Sequence, residues 1–435
     1  MADVRPLQGI RFSQERVGSL AEVITPPYDV IHQEAQARYY ERSPYNSIRI
    51  ELGKESPNDN TLDNVYTRAA ATLAEWRHQG VLYQEQKASY YLYQQKFHHR
   101  DESFTRTSLL ARVRLEPWSA RVVLPHEYTT TKAKNDRLQL YRACATNTSP
   151  IMCLYEDPQN RLRKLLTPYT QQPEVQITDE VGEEHLLQPI QDETQIALIQ
   201  DFFSQRQLYI ADGHHRYETA LNYRAEVHEQ RRELHPDDAV NFTLMALIDV
   251  EDPGMLVLPT HRLLSNLSDA ALAKLTPQHL GQFFHVQSHP AGLDAAQVLR
   301  VLETQRDQQH ALVVHTPEQT LSLQMNAEGQ RFMHESKRAE SWNTLDVAIA
   351  QRLILEALLG LRPEDMTAGT YVRYSHEPEQ VLEEVRRGSA QAALLLNATP
   401  LRQVCDVAQA DERMPQKSTY LYPKLITGLV MNPLW

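Results

Sequence analysis

The sequence predicts an α+β fold built on a mixed sheet, and three observations carry that expectation. Residues Ala88 to Phe97 and Thr105 to Leu115 are rich in strand formers and flank the polar stretch His98 to Ser103, the pattern of a hairpin. Leu62, Val65, Ala69, Leu73 and Trp76 fall on one helical face over Leu62 to Gln79, Gly80 is a natural stop, and no regular βαβ rhythm follows. The apolar run Leu208 to Ala211 breaks at Asp212-Gly213 into a segment with Tyr217, Ala220, Leu221 and Val227 near helical spacing. That is a strand, a tight turn and a helix start.

The remaining elements follow in order. Ile24 to Ile31 contains Pro26-Pro27 ahead of Tyr28-Asp29, which forces an extended, rigid approach. Ser47 to Leu52 is expected as a strand. Pro125 to Asn147 is polar and charged and reads as a loop leading into a helix at Asp136 to Ala145. Ile151 to Tyr155 and Thr243 to Val250 have strand composition, separated by an acidic, Pro/Gln-rich interval and the Asp212 element. The last third alternates helices and short strands: Asp269 to Leu275, Ala295 to Gln305, Ala311 to His315, Leu345 to Leu358 stopped by Gly360, and Ala392 to Leu396.

With 435 residues the chain exceeds the length at which a single core usually keeps growing. Two domains are therefore expected, 1–255 carrying the Asp212 element and 256–435 as a second, α/β domain, divided near Asp252-Pro253-Gly254 and Pro259 to Arg262. The net charge of -12, with no run of Lys or Arg, argues against a nucleic-acid or anionic-membrane surface. The amino terminus lacks an apolar signal core and no stretch is long enough to span a bilayer, so a cytoplasmic protein is expected. Cys144, Cys153 and Cys405 show no C-x-x-C spacing and read as buried thiols. A Gly-Lys-Ser/Thr phosphate loop, a dinucleotide fingerprint, a nucleophile elbow and His-Glu-x-x-His are all absent.

The chemistry concentrates in three places. The first turn of a helix exposes backbone N–H groups at the positive end of its dipole, so Asp212, Gly213, His214, His215 and Arg216 are placed where an anion binds. The same residues also suit a plain helix start, with Asp212 as cap and Gly213 as turn. Asp29, on its stiff segment, fits a general base or metal ligand, and equally an Asx-turn. His126, Glu127, Lys132, Lys134 and Arg137 combine groups that follow or clamp a phosphoryl group, and a solvated charged loop has the same composition. Pro259 to Arg262 and Lys417 to Lys424 each couple a cation to a proline-fixed backbone and read as surface ion pairs.

Five ordered blocks together resemble the bacterial and archaeal DUF1015 family: Thr25 to Ile31, His126-Glu127 with Asp136 to Leu138, Ala211 to Tyr217, Pro259 to Arg262, and Gly428 to Pro433. Asp212 to Arg216 is also similar to the Asp-Gly-x-His-Arg element of the ParB/sulfiredoxin-like nucleotide-binding fold, which implies a nucleotide-phosphate cradle at a helix start. Among those branches the free-serine kinases share the His-His-Arg detail. Their base is a glutamate, whereas this chain offers Asp29. The cysteine of sulfiredoxin has no counterpart in the Asp212 block, and the basic helix-turn-helix of partition proteins is not apparent.

The resemblance implies a phosphotransferase moving a phosphoryl group from ATP or ADP, with Mg²⁺, to a small hydroxylated metabolite such as free L-serine. Asp29 or Glu127, with His126, would be catalytic, and Lys132, Lys134 and Arg137 would close over the donor as a mobile loop. A nucleotide sensor without catalysis and a phosphate-ester hydrolase use the same cradle. Expected partners are a nucleotide and a small molecule, with no nucleic acid or membrane and a homodimer as a possible assembly.

Overall fold

The hairpin expected from composition forms, with Phe97 opposite Phe104 and Gln95 opposite Arg106. The computed structural model describes residues 1–231, 235–290, 292–306, 310–367 and 369–435, and the side chains of Lys132, Arg306 and Thr367 lie outside that description. Two units separate by their contacts: Met1–Pro125, Thr129–Leu256 and Pro423–Trp435 form the first, and His126–Tyr128 with Val257–Tyr422 the second.

Among the described residues of the first unit, nine strands make one sheet: β1 (Val4–Arg5), β2 (Tyr90–His99), β3 (Glu102–Arg114), β4 (Val123–Leu124), β5 (Ile151–Tyr155), β6 (Val175–Thr178), β7 (Glu184–Ile190), β8 (Leu208–Asp212) and β9 (Phe242–Asp249). Their order is β4-β8-β5-β9-β3-β2-β7-β6, with β1 pairing β3. The β4–β8 and β5–β9 pairs are parallel and the other pairings antiparallel, so the sheet is mixed. Helix α1 (Val65–His78) starts with a capping box in which Asn64 and Thr67 satisfy each other's backbone N–H groups. Helices α2 (Thr131–Cys144) and α3 (His214–Gln230) pack together, and Tyr141, Tyr217 and Ala220 join a core with Leu109, Ile210 and Met245. Each such large apolar side chain contributes about 1.5–3 kcal/mol on burial, which anchors the start of α3 to the sheet.

Several expectations need correction. Ser47 to Leu52 is not a strand: Ile48–Glu51 is one helical turn, because Asn46 Oδ1 accepts from the Ile48 N–H at 3.0 Å and the Glu51 side chain is buried. The loop before Asp136 is shorter than expected, since α2 begins at Thr131, where Lys-Ala-Lys contains no helix breaker. Lys132, Lys134 and Arg137 therefore lie on a helix and not on a mobile loop. The helix expected from Leu345 to Leu358 runs from Asp346 to Ile349 and continues as wider π turns over Ala350–Leu358. Finally, the two units are not divided by a single cut at 255/256. The carboxy-terminal segment returns to the first unit, where Asn432–Pro433 pairs with Thr146–Asn147 and Thr427 bridges Thr25.

The described residues of the second unit form a six-stranded sheet from β10 (His261–Leu264), β11 (Phe284–His289), β12 (Ala311–His315), β13 (Thr320–Met325), β14 (Val372–Ser375) and β15 (Ala392–Leu396), ordered β11-β13-β12-β15-β10-β14. Every pairing is antiparallel, in contrast to the expected α/β arrangement. The tight Thr316–Gln319 turn between β12 and β13 leaves no room for the crossover a parallel pair requires. One face carries Leu264, Leu394 and Ile354, the other Leu263, Val298 and Val381. Among the described residues no helix is long and apolar enough to cross a membrane.

Candidate active site

The strand-to-helix junction at Asp212 is where the first unit gathers its buried charges. The β8–β5 register shifts between Ile210 and Asp212, an irregularity of the kind that re-aims a side chain at a strand end. Gly213 follows with φ +96°, a left-handed conformation that strains any residue bearing a Cβ. A Cβ there would lie 2.9 Å from Arg216 Nε, so glycine also admits the guanidinium. Gly213, at the N-cap of α3, provides no side-chain cap.

Arg216 is buried and donates through Nη2 to Asp212 Oδ2 at 2.6 Å and through Nη1 to the Pro150 carbonyl. Lys424 Nζ donates to the other Asp212 oxygen at 2.6 Å. The Lys424 backbone is itself held: Arg106 Nη1 donates to the Pro423 carbonyl at 2.6 Å, and Gln95 Nε2 to the Lys424 carbonyl at 3.1 Å. Burial alone would raise the Asp212 carboxyl, but the charges of Lys424 and Arg216 hold it well below the usual carboxylate range. Burial lowers the Arg106 guanidinium to about 10.

Asp29 lies in the short 3-10 turn Tyr28–Val30, with Pro27 before it at φ -66°. Its residue surface reaches solvent, yet desolvation by the surrounding protein raises its carboxyl first, and the Asp212 charge raises it further; Arg216 and Lys424 act in the opposite direction. Asp29, Asp212, Arg216 and Lys424 thus share one electrostatic field. Arg137 underpins the turn, its guanidinium 4.0 Å from the Tyr28 ring centroid, while its N–H groups donate to Asp136 Oδ2 at 2.7 Å and to the Glu51 carbonyl at 3.0 Å. Buried Glu51 lies 3.4 Å from Arg137 Nη1 and accepts from the Thr148 and Ser149 hydroxyls. Arg137 is therefore a buried brace for Tyr28-Asp29.

The other candidates are placed as follows. His214 is buried at the start of α3. His215 Nε2 accepts from the Thr130 N–H at 2.8 Å, which ties α3 to the start of α2. Lys134 Nζ pairs with Glu218 at 2.8 Å. The Lys132 side chain lies outside the described residues. His126 and Glu127 belong to the second unit, where the His126 carbonyl accepts from the Met414 N–H at 2.8 Å and the two side chains approach to 3.9 Å. The interval expected as one loop is thus divided between the units.

Lys424, Glu51, Gln95 and Arg106 were not among the expected site residues. Lys424 was read as part of a surface ion pair, but its side chain is 15 % exposed and its partner is Asp212. A group elsewhere in the first unit, Asp179, Glu183 and His185, has its potential ligand atoms within 4.8 Å of one another. Both His185 nitrogens are engaged, by Tyr93 and Asp179, which leaves the ring no lone pair for an ion.

The family model described as "Protein of unknown function (DUF1015)" matches residues 4–348. No curated protein matches. Solved structures with a similar arrangement include a conserved hypothetical protein from Pyrococcus furiosus, with 10 % identity over 75 % of this chain and 97 % of that one and a TM-score of 0.37. A free serine kinase in complex with AMP has 10 % identity, 75 % and 93 % coverage and a TM-score of 0.39. A variant of that kinase in complex with ADP has 9 % identity, 75 % and 94 % coverage and a TM-score of 0.39.

Proposed function

The chain belongs to the DUF1015 family, and from that premise we propose that it is a nucleotide-dependent phosphotransferase acting on a hydroxyl of a small metabolite, with free L-serine as the first acceptor to test. The observation that carries this reading is a carboxyl of raised pKa, Asp29, in the same field as a helix start flanked by Asp212, Arg216 and Lys424. Phosphoryl transfer requires little beyond positioning, charge neutralisation and a proton acceptor, and those groups supply all three.

In this reading the helix start at Gly213 to Arg216 receives the phosphates of ATP or ADP, and Lys424, held on Asp212, supplies positive charge beside the transferring group. Asp212 is the fixed counter-charge that orients Arg216 and Lys424. Asp29 takes the acceptor proton as the hydroxyl oxygen bonds to the terminal phosphorus and the bond to the leaving nucleotide breaks. A carboxylate whose pKa is moved toward neutrality is a better base than an ordinary one. Both Asp212 oxygens are engaged and Asp29 is kept for the proton, so Mg²⁺ would be held mainly by the nucleotide's phosphate oxygens and water. Lys134 and the partly buried His215 border the same helix start.

A second reading, a nucleotide sensor, is favoured by the fact that both terminal nitrogens of Arg216 already have protein acceptors. The two separate in one experiment: purified protein is incubated with Mg²⁺, a nucleotide panel and pooled hydroxylated metabolites, and new phosphorylated species are followed by mass spectrometry. The phosphotransferase yields a phosphorylated metabolite that disappears in Asp29→Asn. A sensor consumes no nucleotide, and a hydrolase releases only inorganic phosphate.

A further inference from the structure

A cavity of about 260 Å³ lies within the second unit, and its wall carries positive charge but, among the described residues, no carboxylate. Trp342, Tyr374 and Met414 supply apolar surface, and Arg338 and Arg413 the charged groups. Tyr128, 58 % exposed, also lines it, so the space is reached from solvent. The volume falls somewhat under the roughly 300 Å³ at which drug-sized sites begin, which suits a small metabolite built on a ring.

The wall is fixed by bonds among its own residues. Trp342 lies in the helical turn Glu340–Asn343, and its Nε1 donates to the Arg413 carbonyl at 3.0 Å. The Arg338 guanidinium stands over the Trp342 ring, 4.5 Å from its centroid, and donates through Nη1 to Glu412 Oε2 at 2.9 Å. Glu412 Oε1 accepts from the Ala339 N–H at 3.1 Å, so that carboxylate is committed on both oxygens. Arg413 is different. Its side chain is 17 % exposed, yet among the described residues its guanidinium makes a single hydrogen bond, from Nη1 to the Glu412 carbonyl at 3.0 Å. Asp411, the carboxylate that neutralises it, is 3.6 Å away and has a side chain 72 % exposed. A guanidinium carries five donors in a flat fork, and an incoming carboxylate engages two of them at once.

We propose that this cavity binds a small aromatic carboxylate, with the ring packed against Trp342 and Tyr374 and the carboxylate taken by Arg413. The aromatic body follows from the indole and the phenol in the wall, which favour a ring by stacking as well as by area. The acid follows from two guanidinium groups lining a space that no described carboxylate lines. Met414, 1 % exposed, adds a surface that adapts to the shape of the ring. Because the bonds to Glu412 and Arg413 hold Arg338 and Trp342 in place beforehand, little order is lost on binding. The site does not depend on the phosphotransferase reading.

Titration calorimetry on the full chain at constant ionic strength tests the proposal, with phenylacetate and indole-3-acetate as probes and the neutral amide of each as its control. Saturable binding of at least one acid is expected, about tenfold or more tighter than its amide. That binding weakens about tenfold or more in Arg413→Met and severalfold in Tyr374→Leu. No saturable binding of either acid, an amide that binds as tightly as its acid, or affinity unchanged by Arg413→Met overturns the proposal. If Arg413→Met does not fold, Tyr374→Leu decides: unchanged affinity overturns it.

Discussion

Lys424→Met removes one of the two cations holding Asp212, and the consequence follows from the geometry. At 2.6 Å and an effective dielectric near 20, the Lys424–Asp212 attraction is about 6 kcal/mol before the desolvation of both groups is subtracted. The pair is largely buried, with side chains 15 % and 17 % exposed, and breaking a buried pair costs about 3–5 kcal/mol. Asp212 keeps its Arg216 bond at 2.6 Å, which places the loss near the lower bound, about 3 kcal/mol, or roughly 6–12 °C in the Tm of a unit this size. The pH dependence has a definite sign. Asp212 is depressed in the folded state, so its stabilisation is complete above the unfolded value of about 3.9 and is lost as pH falls below that toward the folded value. Without Lys424 the carboxyl moves back toward its ordinary value, so the variant loses less on acidification and its deficit against the wild type shrinks as pH falls below about 3.9. Urea unfolding followed by circular dichroism between pH 3 and 7, combined with Asp212→Asn in a double-mutant cycle, measures both effects. A variant within about 0.5 kcal/mol of wild type at pH 7, the scatter of ordinary surface substitutions, would refute the buried-pair account.

Gly213→Ala is expected to cost about 1–2 kcal/mol from its left-handed backbone alone, and the added Cβ displaces the Arg216 guanidinium, so nucleotide affinity falls along with Tm; calorimetric titration and thermal melting check the two. Asp29 is raised in the folded state, so its contribution is complete below the unfolded value of about 3.9 and is lost as pH rises through the folded value. Asp29→Asn is therefore expected to melt higher than wild type at pH 7, with the difference vanishing at pH 3; a lower Tm at pH 7 contradicts this. Glu51→Gln leaves the Arg137 guanidinium facing a neutral group in a buried site and is expected to destabilise by about 3 kcal/mol. It should also loosen the Tyr28-Asp29 turn, read as faster amide exchange at Asp29 than in wild type.

The strand-to-helix junction at Asp212 was legible because period and breaker agree there: a continuous apolar run, a glycine, then helical spacing. The β2–β3 hairpin was legible for a similar reason, with a polar tip between two runs of strand formers. Ser47 to Leu52 misled, since Ile48 and Ile50 alternate as in a strand while Asn46 closes a turn with its own side chain, a local bond that periodicity does not register. Arg137 carries the charge of a phosphate clamp, but its neighbours Tyr28 and Glu51 come from distant segments and make it a brace. Lys424 lies 212 residues from Asp212, and no spacing rule links them; the nearest clue is Pro423, which fixes the backbone whose carbonyls Arg106 and Gln95 hold. Long-range pairing of charges is set by the tertiary fold, and for that reason the cations around Asp212 were only half foreseen.

The central claim is phosphoryl transfer at Asp29 and Asp212, and the most direct measurement is a single-turnover reaction with ATP labelled in its terminal phosphate, Mg²⁺ and L-serine, then pooled hydroxylated metabolites, run in parallel on wild type and Asp29→Asn. The account expects label in a phosphorylated metabolite with wild type and none with Asp29→Asn, although that variant binds nucleotide with nearly unchanged affinity. Nucleotide bound by both proteins with the label still in ATP after every acceptor has been tried would contradict it.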